Sequence, residues 1–195
     1  MPGSRPTPVT VYGRFALFID GANFYHTLRD LQLRVDYRRL LAYFCARGEL
    51  VRAHYYTPLL AGQQAPAWLI RLTDWLAYNG YHVVTKPAKA VRRQVEDVHG
   101  VPHWVDEVQG NVAIELAVDM FTLAPHCDTL VLFSGDGTFV RLVEALQAMG
   151  CRVVVVSSQQ TAGSTVADEL RRQADTFLEL AALAHEIAML DKGRQ

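Results

Sequence analysis

The chain is expected to fold as a Rossmann-like three-layer α/β/α sandwich around a central, mainly parallel sheet, and its hydrophobic pattern is the first reason. Short apolar runs alternate with helix-period segments along most of the chain. Because βαβ crossovers are right-handed, such alternation leaves few arrangements other than a sheet covered on both faces. The second reason is how two runs end. Phe15 to Ile19 gives way to Asp20-Gly21, and Thr129 to Phe133 gives way to Ser134-Gly135-Asp136-Gly137. Both aspartates should therefore emerge at the carboxyl end of a buried strand, the edge where open α/β sheets bind ligands. Size is the third: 195 residues, 50% of them hydrophobic and without repeats or low-complexity tracts, suit one domain with a core large enough to fold alone.

A proline-containing, flexible leader is expected over residues 1–13 and a single domain over 14–195. Arg14 to Ile19 reads as a buried strand, and Ala22 to Leu31 as a helix with Phe24, Leu28 and Leu31 on one face. Asp36 is placed to cap a second helix, Tyr37 to Ala46. Val51 to Thr57 then alternates as a strand, and Ala65 to Tyr78 makes a helix stopped by Asn79-Gly80. His82 to Thr85 is a third strand. From Lys86 to Gln109 the periodicity loosens around a turn signal at His99-Gly100-Val101-Pro102, which reads as a loop or a hairpin. Asn111 is placed to cap a helix running to about Leu123, Leu130 to Phe133 is a strand, Phe139 to Met149 is a helix ended by Gly150, and Val153 to Ser157 is a strand. A further helix begins near Ser164, followed by Phe177-Leu178-Glu179-Leu180 and a C-terminal helix.

A formal net charge of -1 excludes a generally basic, histone-like binder, so contact with nucleic acid has to rest on a local patch. Cys45, Cys127 and Cys151 are odd in number and far apart, which suits reduced thiols better than a disulfide framework or a zinc ribbon. No stretch approaches the roughly 20 apolar residues needed to span a bilayer, and the first ten residues lack an apolar signal core. A cytoplasmic protein without a membrane partner is expected.

Asp20 and Asp136 can meet only if their strands are neighbours, which requires the chain to reverse direction across the sheet between them. If they meet, hard carboxylate oxygens without thiol or imidazole partners favour Mg2+ or Mn2+ over zinc. Such ions activate water and steady an in-line phosphoryl displacement. Each aspartate also precedes a glycine, so a turn or helix-cap role alone is the competing explanation. Asn23 has the same two uses open to it, as an amide aimed at the site or as a cap.

Four motifs occur in order and span most of the chain: Phe18-Ile19-Asp20-Gly21-Ala22-Asn23-Phe24; Gly110-Asn111-Val112 with Glu115-Leu116-Ala117-Val118-Asp119; Ser134-Gly135-Asp136-Gly137 with Phe139; and Ser164 through Leu170 leading to Ala174-Asp175-Thr176-Phe177. In them the sequence resembles the LabA-like NYN domains, relatives of the PIN nucleases. That resemblance implies a PIN-like fold and a divalent-metal-dependent ribonuclease, in which clustered acidic side chains hold Mg2+ or Mn2+ for hydrolysis of RNA, single-stranded by expectation. Carried over by motif, Asp20, Asp119 and Asp136 become metal-binding and catalytic carboxylates, and Asn23 a supporting polar group. Ser134, Thr138 and Glu115 are candidates for further support, Ser134 by hydrogen-bonding to backbone or to Asp136.

Two departures from the family pattern matter. The resemblance implies an aspartate where Ala113 stands, and a second acidic residue where Thr138 stands. Ala113 belongs to the first turn of its helix, where the helix dipole favours a carboxylate. Its lack of one implies weakened metal binding and weakened or lost cleavage. A natural degenerate copy that keeps binding and an engineered alanine both explain it. Glu115 and Asp119 are four apart on one helical face, able to act as a surrogate pair or simply to face solvent.

Lys86, Lys89, Arg92 and Arg93 put four cations into eight residues, a candidate RNA phosphate track with Trp104 as a stacking ring. Glu96 and Asp97 are close enough in sequence to neutralise the arginines. Tyr55-Tyr56 and the helix-spaced Trp68, Leu72 and Trp75 read as core and inter-helix packing. The segment from Phe177 to Met189 either forms a homo-oligomer face or closes the sheet. Two functions follow: a ribonuclease, or a non-catalytic RNA-binding or protein-interaction module on the same fold.

Overall fold

A computed structural model describes residues 11–60, 65–96, 102–161, 163 and 166–190. Its strands are β1 (Arg14–Asp20), β2 (Glu49–Leu60), β3 (Tyr81–Glu96), β4 (Pro102–Gln109), β5 (Thr129–Phe133), β6 (Arg152–Ser157) and β7 (Thr176–Glu179). The helices are α1 (Gly21–Asp30), α2 (Tyr37–Cys45), α3 (Ala67–Tyr78), α4 (Ala113–Leu123), α5 (Val140–Ala148), α6 (Asp168–Gln173) and α7 (Ala184–Ile187). One sheet runs in the order β4-β3-β2-β1-β5-β6-β7. All neighbours are parallel except β3 and β4. The chain winds outward from β1 through β2 and β3, then returns to the other side of β1 with β5. The topological switch point therefore falls between β1 and β5, the strands that end at the two aspartates.

Alternation along β1 builds both layers. Phe15, Leu17 and Ile19 point into one core with Phe24 of α1, Leu40 and Phe44 of α2, Leu76 of α3 and Ile187 of α7. Ala16 and Phe18 point into the other with Leu116 and Met120 of α4, Leu142, Val143 and Leu146 of α5 and Leu170 of α6. Successive side chains of a strand face opposite ways, so a strand covered on both sides is apolar at nearly every position. This is why β5 is buried throughout and legible as a run.

The structure differs from the sequence reading most where a strand is exposed on both faces. The expected strand from His82 to Thr85 is the start of the 16-residue β3, whose outer half pairs antiparallel with β4. The ambiguous stretch is thus a hairpin, with residues 97–101 outside the described residues. Residues 91–94 are all exposed, so no core imposes a period of two on them and the pattern is lost. Tyr12, assigned to the leader, is buried against Phe15 and Phe44. Gly137–Phe139 form a 3-10 turn before α5 begins at Val140. Residues 164–165 lie outside the described residues, and the helix expected near Ser164 is observed as α6 from Asp168. Gly80 and Gly150 stop α3 and α5 with φ of +90 and +87, as their positions suggested. Near the C-terminus, β7 forms the edge of the sheet beside β6, and Leu180, Leu183 and Ile187 turn into the core. Among the described residues no helix is long and apolar enough to cross a membrane.

Candidate active site

The end of β1 and the exit from β5 are laced together by side chains of both motifs. Asp20 caps α1, its Oδ1 accepting from the Asn23 N–H at 3.3 Å, while its Oδ2 accepts from the Ser134 hydroxyl at 3.1 Å. Asn23 reaches back across the gap, its Oδ1 accepting from the Gly135 N–H at 2.9 Å. The Asp136 N–H donates to Ser134 Oγ at 3.2 Å, and Asp136 Oδ1 in turn accepts from the Thr138 N–H at 2.8 Å. Both aspartates are therefore helix caps, and the capping is what aims them at one place.

The glycines of these motifs are required by space rather than by left-handed backbone. Among the described residues the glycines with positive φ are Gly13, Gly80 and Gly150. A Cβ on Gly21 would lie 2.6 Å from both the Tyr55 ring and the Tyr56 carbonyl oxygen, and one on Gly135 would lie 2.8 Å from Ser157 Oγ. Parallel pairing of β1 with β2 packs the chain too closely at Gly21 for a side chain, and the end of β6 beside β5 crowds Gly135.

Asp20, Asn23 and Asp136 line a pocket of ≈ 310 Å³ together with Asn111 and Ala113 at the head of α4. Ala113 thus stands in the wall of the acidic pocket. Asn111 Oδ1 accepts from the Ala113 N–H at 2.7 Å, a capping contact made one residue outside the helix boundary expected from its amide. His26 also lines the pocket and was missed by sequence reading. Its signal is spacing, since it follows Asn23 by three residues on α1.

Burial raises the Asp20 carboxyl above its ordinary pKa, and the charge of Asp136 raises it further, while the Asn23 N–H and the Ser134 hydroxyl oppose the shift. A desolvated carboxylate facing a second carboxylate is an arrangement that a cation relieves. The donor set suits Mg2+ or Mn2+, which are commonly held by one or two carboxylates with waters and phosphate oxygens completing the shell. Among the described residues no three His, Cys, Asp or Glu side chains gather to hold a metal.

Other candidate residues lie elsewhere. Asp119 stands six residues beyond Ala113, which is about 9 Å along a helix axis. Asp119 Oδ2 accepts from the Tyr56 hydroxyl at 2.8 Å, and the residue lines a separate pocket of ≈ 250 Å³ with Arg52, His54 and His82. Glu115 pairs with Lys86 at 2.7 Å, which holds its carboxyl below the usual range. The strand position of Lys86 is opposite Pro58, a residue of the acidic pocket wall, so this cation is one strand from the site. Lys89 is exposed, and Arg92 and Arg93 lie on the outer half of β3 opposite Asp106 and Val105. Trp104 is exposed on β4, whereas Thr138 reaches Asp136 through its backbone N–H. Trp75 packs against the core as expected, but Trp68 does not: it is exposed and stacked on Tyr25.

Fold and pocket together define a PIN-like α/β protein with an acidic pocket at the switch point of its sheet. The chain belongs to the NYN domain family, which matches residues 14–181. Members are typically nucleases and generally use divalent metals, and the family suggests interaction with RNA. It is 35% identical over 169 residues to "Low amplitude and bright protein LabA" of Synechococcus elongatus, covering 86% of this chain and 83% of that one. A solved protein of unknown function from Vibrio parahaemolyticus shares the fold with a TM-score of 0.64 at 22% identity, over 87% of this chain and 94% of that chain.

Proposed function

We propose that this chain is a NYN-domain ribonuclease that binds Mg2+ or Mn2+ through Asp20 and Asp136 and cleaves single-stranded RNA, with its activity lowered by Ala113. The observation that carries the reading is the hydrogen-bond lattice of Asp20, Asn23, Ser134 and Asp136, which spends a side chain from each motif on aiming two carboxylates into one pocket. A divalent ion bound there supplies Lewis-acid polarisation of a phosphate and acidifies water. Ser134 and the Asn23 N–H fix the Asp20 oxygens, so little reorganisation is needed when charge develops beside them. Asn23 holds Gly135 and, through it, the loop that carries Asp136. The amino end of α4 opens on the same pocket and favours an anionic phosphate. Single-stranded RNA is proposed because a phosphodiester has to enter a recess at the sheet edge, which an unpaired, bendable strand can do.

A second reading, a non-catalytic RNA-binding or protein-interaction module, is favoured by Ala113 itself, since the wall facing the carboxylates bears a methyl group. Calorimetry with Mn2+ on the wild type and Asp20→Asn, paired with cleavage of a labelled single-stranded RNA by the wild type and Ala113→Asp, separates them. Metal uptake that Asp20→Asn removes, with faster cleavage by Ala113→Asp, supports the nuclease. No uptake and no cleavage in any variant leaves the binding module.

A further inference from the structure

Behind the acidic pocket lies a second cavity of different chemistry. It has a volume of ≈ 230 Å³ and is walled by Tyr25 and His26 of α1, Tyr55 and Pro58 of β2, and Trp68 and Leu69 of α3. Ala22, His26 and Pro58 line both cavities, so the two adjoin across the first turns of α1. One wall set carries carboxylates; the other is aromatic and aliphatic. Tyr25 and Trp68 stand at its mouth with ring centroids 5.0 Å apart and planes 19° from parallel, each 43% exposed.

We propose that this cleft is a nucleobase subsite, in which the outer face of the Tyr25–Trp68 stack receives a base of the same RNA strand whose phosphate occupies the acidic pocket. The inference rests on the RNA reading above and adds a residue-level account of how the strand is held. Rings 5.0 Å apart leave no gap for insertion, so the base extends the stack rather than entering it. An aromatic pair left exposed beside a charged pocket is the arrangement single-strand binders use, with phosphate and base held by adjoining surfaces. Trp75, on the same helix, shows the contrast: it packs on the core and lies under the Arg38 guanidinium, 5.2 Å from its ring centroid. The ring of His26 supplies a hydrogen-bonding edge shared by both cavities. Recognition by stacking is tolerant of sequence, and a purine, with the larger face, binds better than a pyrimidine.

The test is equilibrium binding of the full chain to short labelled single-stranded RNAs with Ca2+ in place of Mg2+ or Mn2+, so that an oxygen-ligated cation still offsets Asp20 and Asp136, with one abasic position moved along the strand, for wild type, Trp68→Ala, Trp68→Phe and Tyr25→Ala. One abasic position is expected to weaken wild-type binding about tenfold. Trp68→Ala is expected to weaken intact RNA by a similar factor and to show no further loss at that abasic position, because the two changes remove one contact. Trp68→Phe should recover most of the affinity. Abasic losses of equal size in wild type and Trp68→Ala overturn the proposal, as does intact-RNA affinity unchanged in both Trp68→Ala and Tyr25→Ala; either result leaves the cleft to an apolar peptide group or to packing. If Mn2+ uptake and cleavage survive Asp20→Asn while the Trp68 coupling persists, the carboxylate reading fails and the subsite stands. If wild type binds no RNA, both fail.

Discussion

Two pockets of this molecule each contain an aspartate, and they surround it in opposite ways. At the sheet edge, Asp20 faces Asp136, and the groups bonded to its oxygens are an N–H and a hydroxyl. On the sheet face, Asp119 takes the Tyr56 hydroxyl and sits with Arg52, His54 and His82. The first pocket gathers like charge and leaves it for a cation to balance. The second already holds groups of both signs, and burial holds His54 neutral, its pKa pushed down to about 4 against the pull of Asp119. An acidic residue in a family motif is thus a poor guide to chemistry until its neighbours are known.

The contrast can be broken most decisively by kinetics. Asp136→Asn should slow Mn2+-dependent RNA cleavage about a hundredfold, in line with losing one charge-stabilising group, while Asp119→Asn leaves the rate near wild type. Equal losses in the two variants would put Asp119 in the site. The next largest effect concerns pH. His54 has a folded pKa of about 4 against an ordinary 6.5, so below 6.5 the unfolded chain binds the proton that the folded chain refuses. The contribution of neutral His54 is full above 6.5 and is lost as pH falls toward 4, on the order of 2 kcal/mol. His54→Phe should flatten that acid limb in melting curves taken from pH 7 to 4, and an unchanged limb would place the titration elsewhere.

Smaller effects sharpen the same distinction. Tyr56→Phe removes a buried donor to Asp119 and should cost about 1 kcal/mol of stability by urea denaturation, with cleavage unaffected. A loss of cleavage without loss of stability would couple the face pocket to the edge. Lys86→Ala should lower the slope of log affinity against log salt by about one if the lysine contacts phosphate. Its pairing with Glu115 reduces what it can offer, so this is the weakest expected change.

What was legible in the sequence is what local physics decides. Buried strands show as apolar runs, and an aspartate at the end of one caps the turn that follows, so β1, β5, Asp20 and Asp136 could be read directly. Their meeting needed the strand order, because a chain that reverses across β1 brings together residues more than a hundred positions apart. The outer half of β3 was illegible, because a ribbon wet on both faces carries no alternation.

Side-chain placement along a helix divides in the same way. Periodicity could put Glu115 and Asp119 on one face, but the path of α4 along the sheet decides that Ala113 borders the pocket while Glu115 meets Lys86 and Asp119 meets Tyr56. Trp68 and Trp75 share a heptad spacing, yet one is exposed and the other packs on the core, because the amino end of α3 lies beside the cleft and its other end lies over the sheet. Sequence alone determined which strands are buried and that Asp20, Asp36 and Asp136 cap the turns that follow them, since each follows from residue type and spacing, whereas the acid expected at Ala113 came from the family resemblance. Only the tertiary structure decided which charged groups face one another, since Coulombic repulsion, ion pairing and desolvation depend on distances that the fold sets.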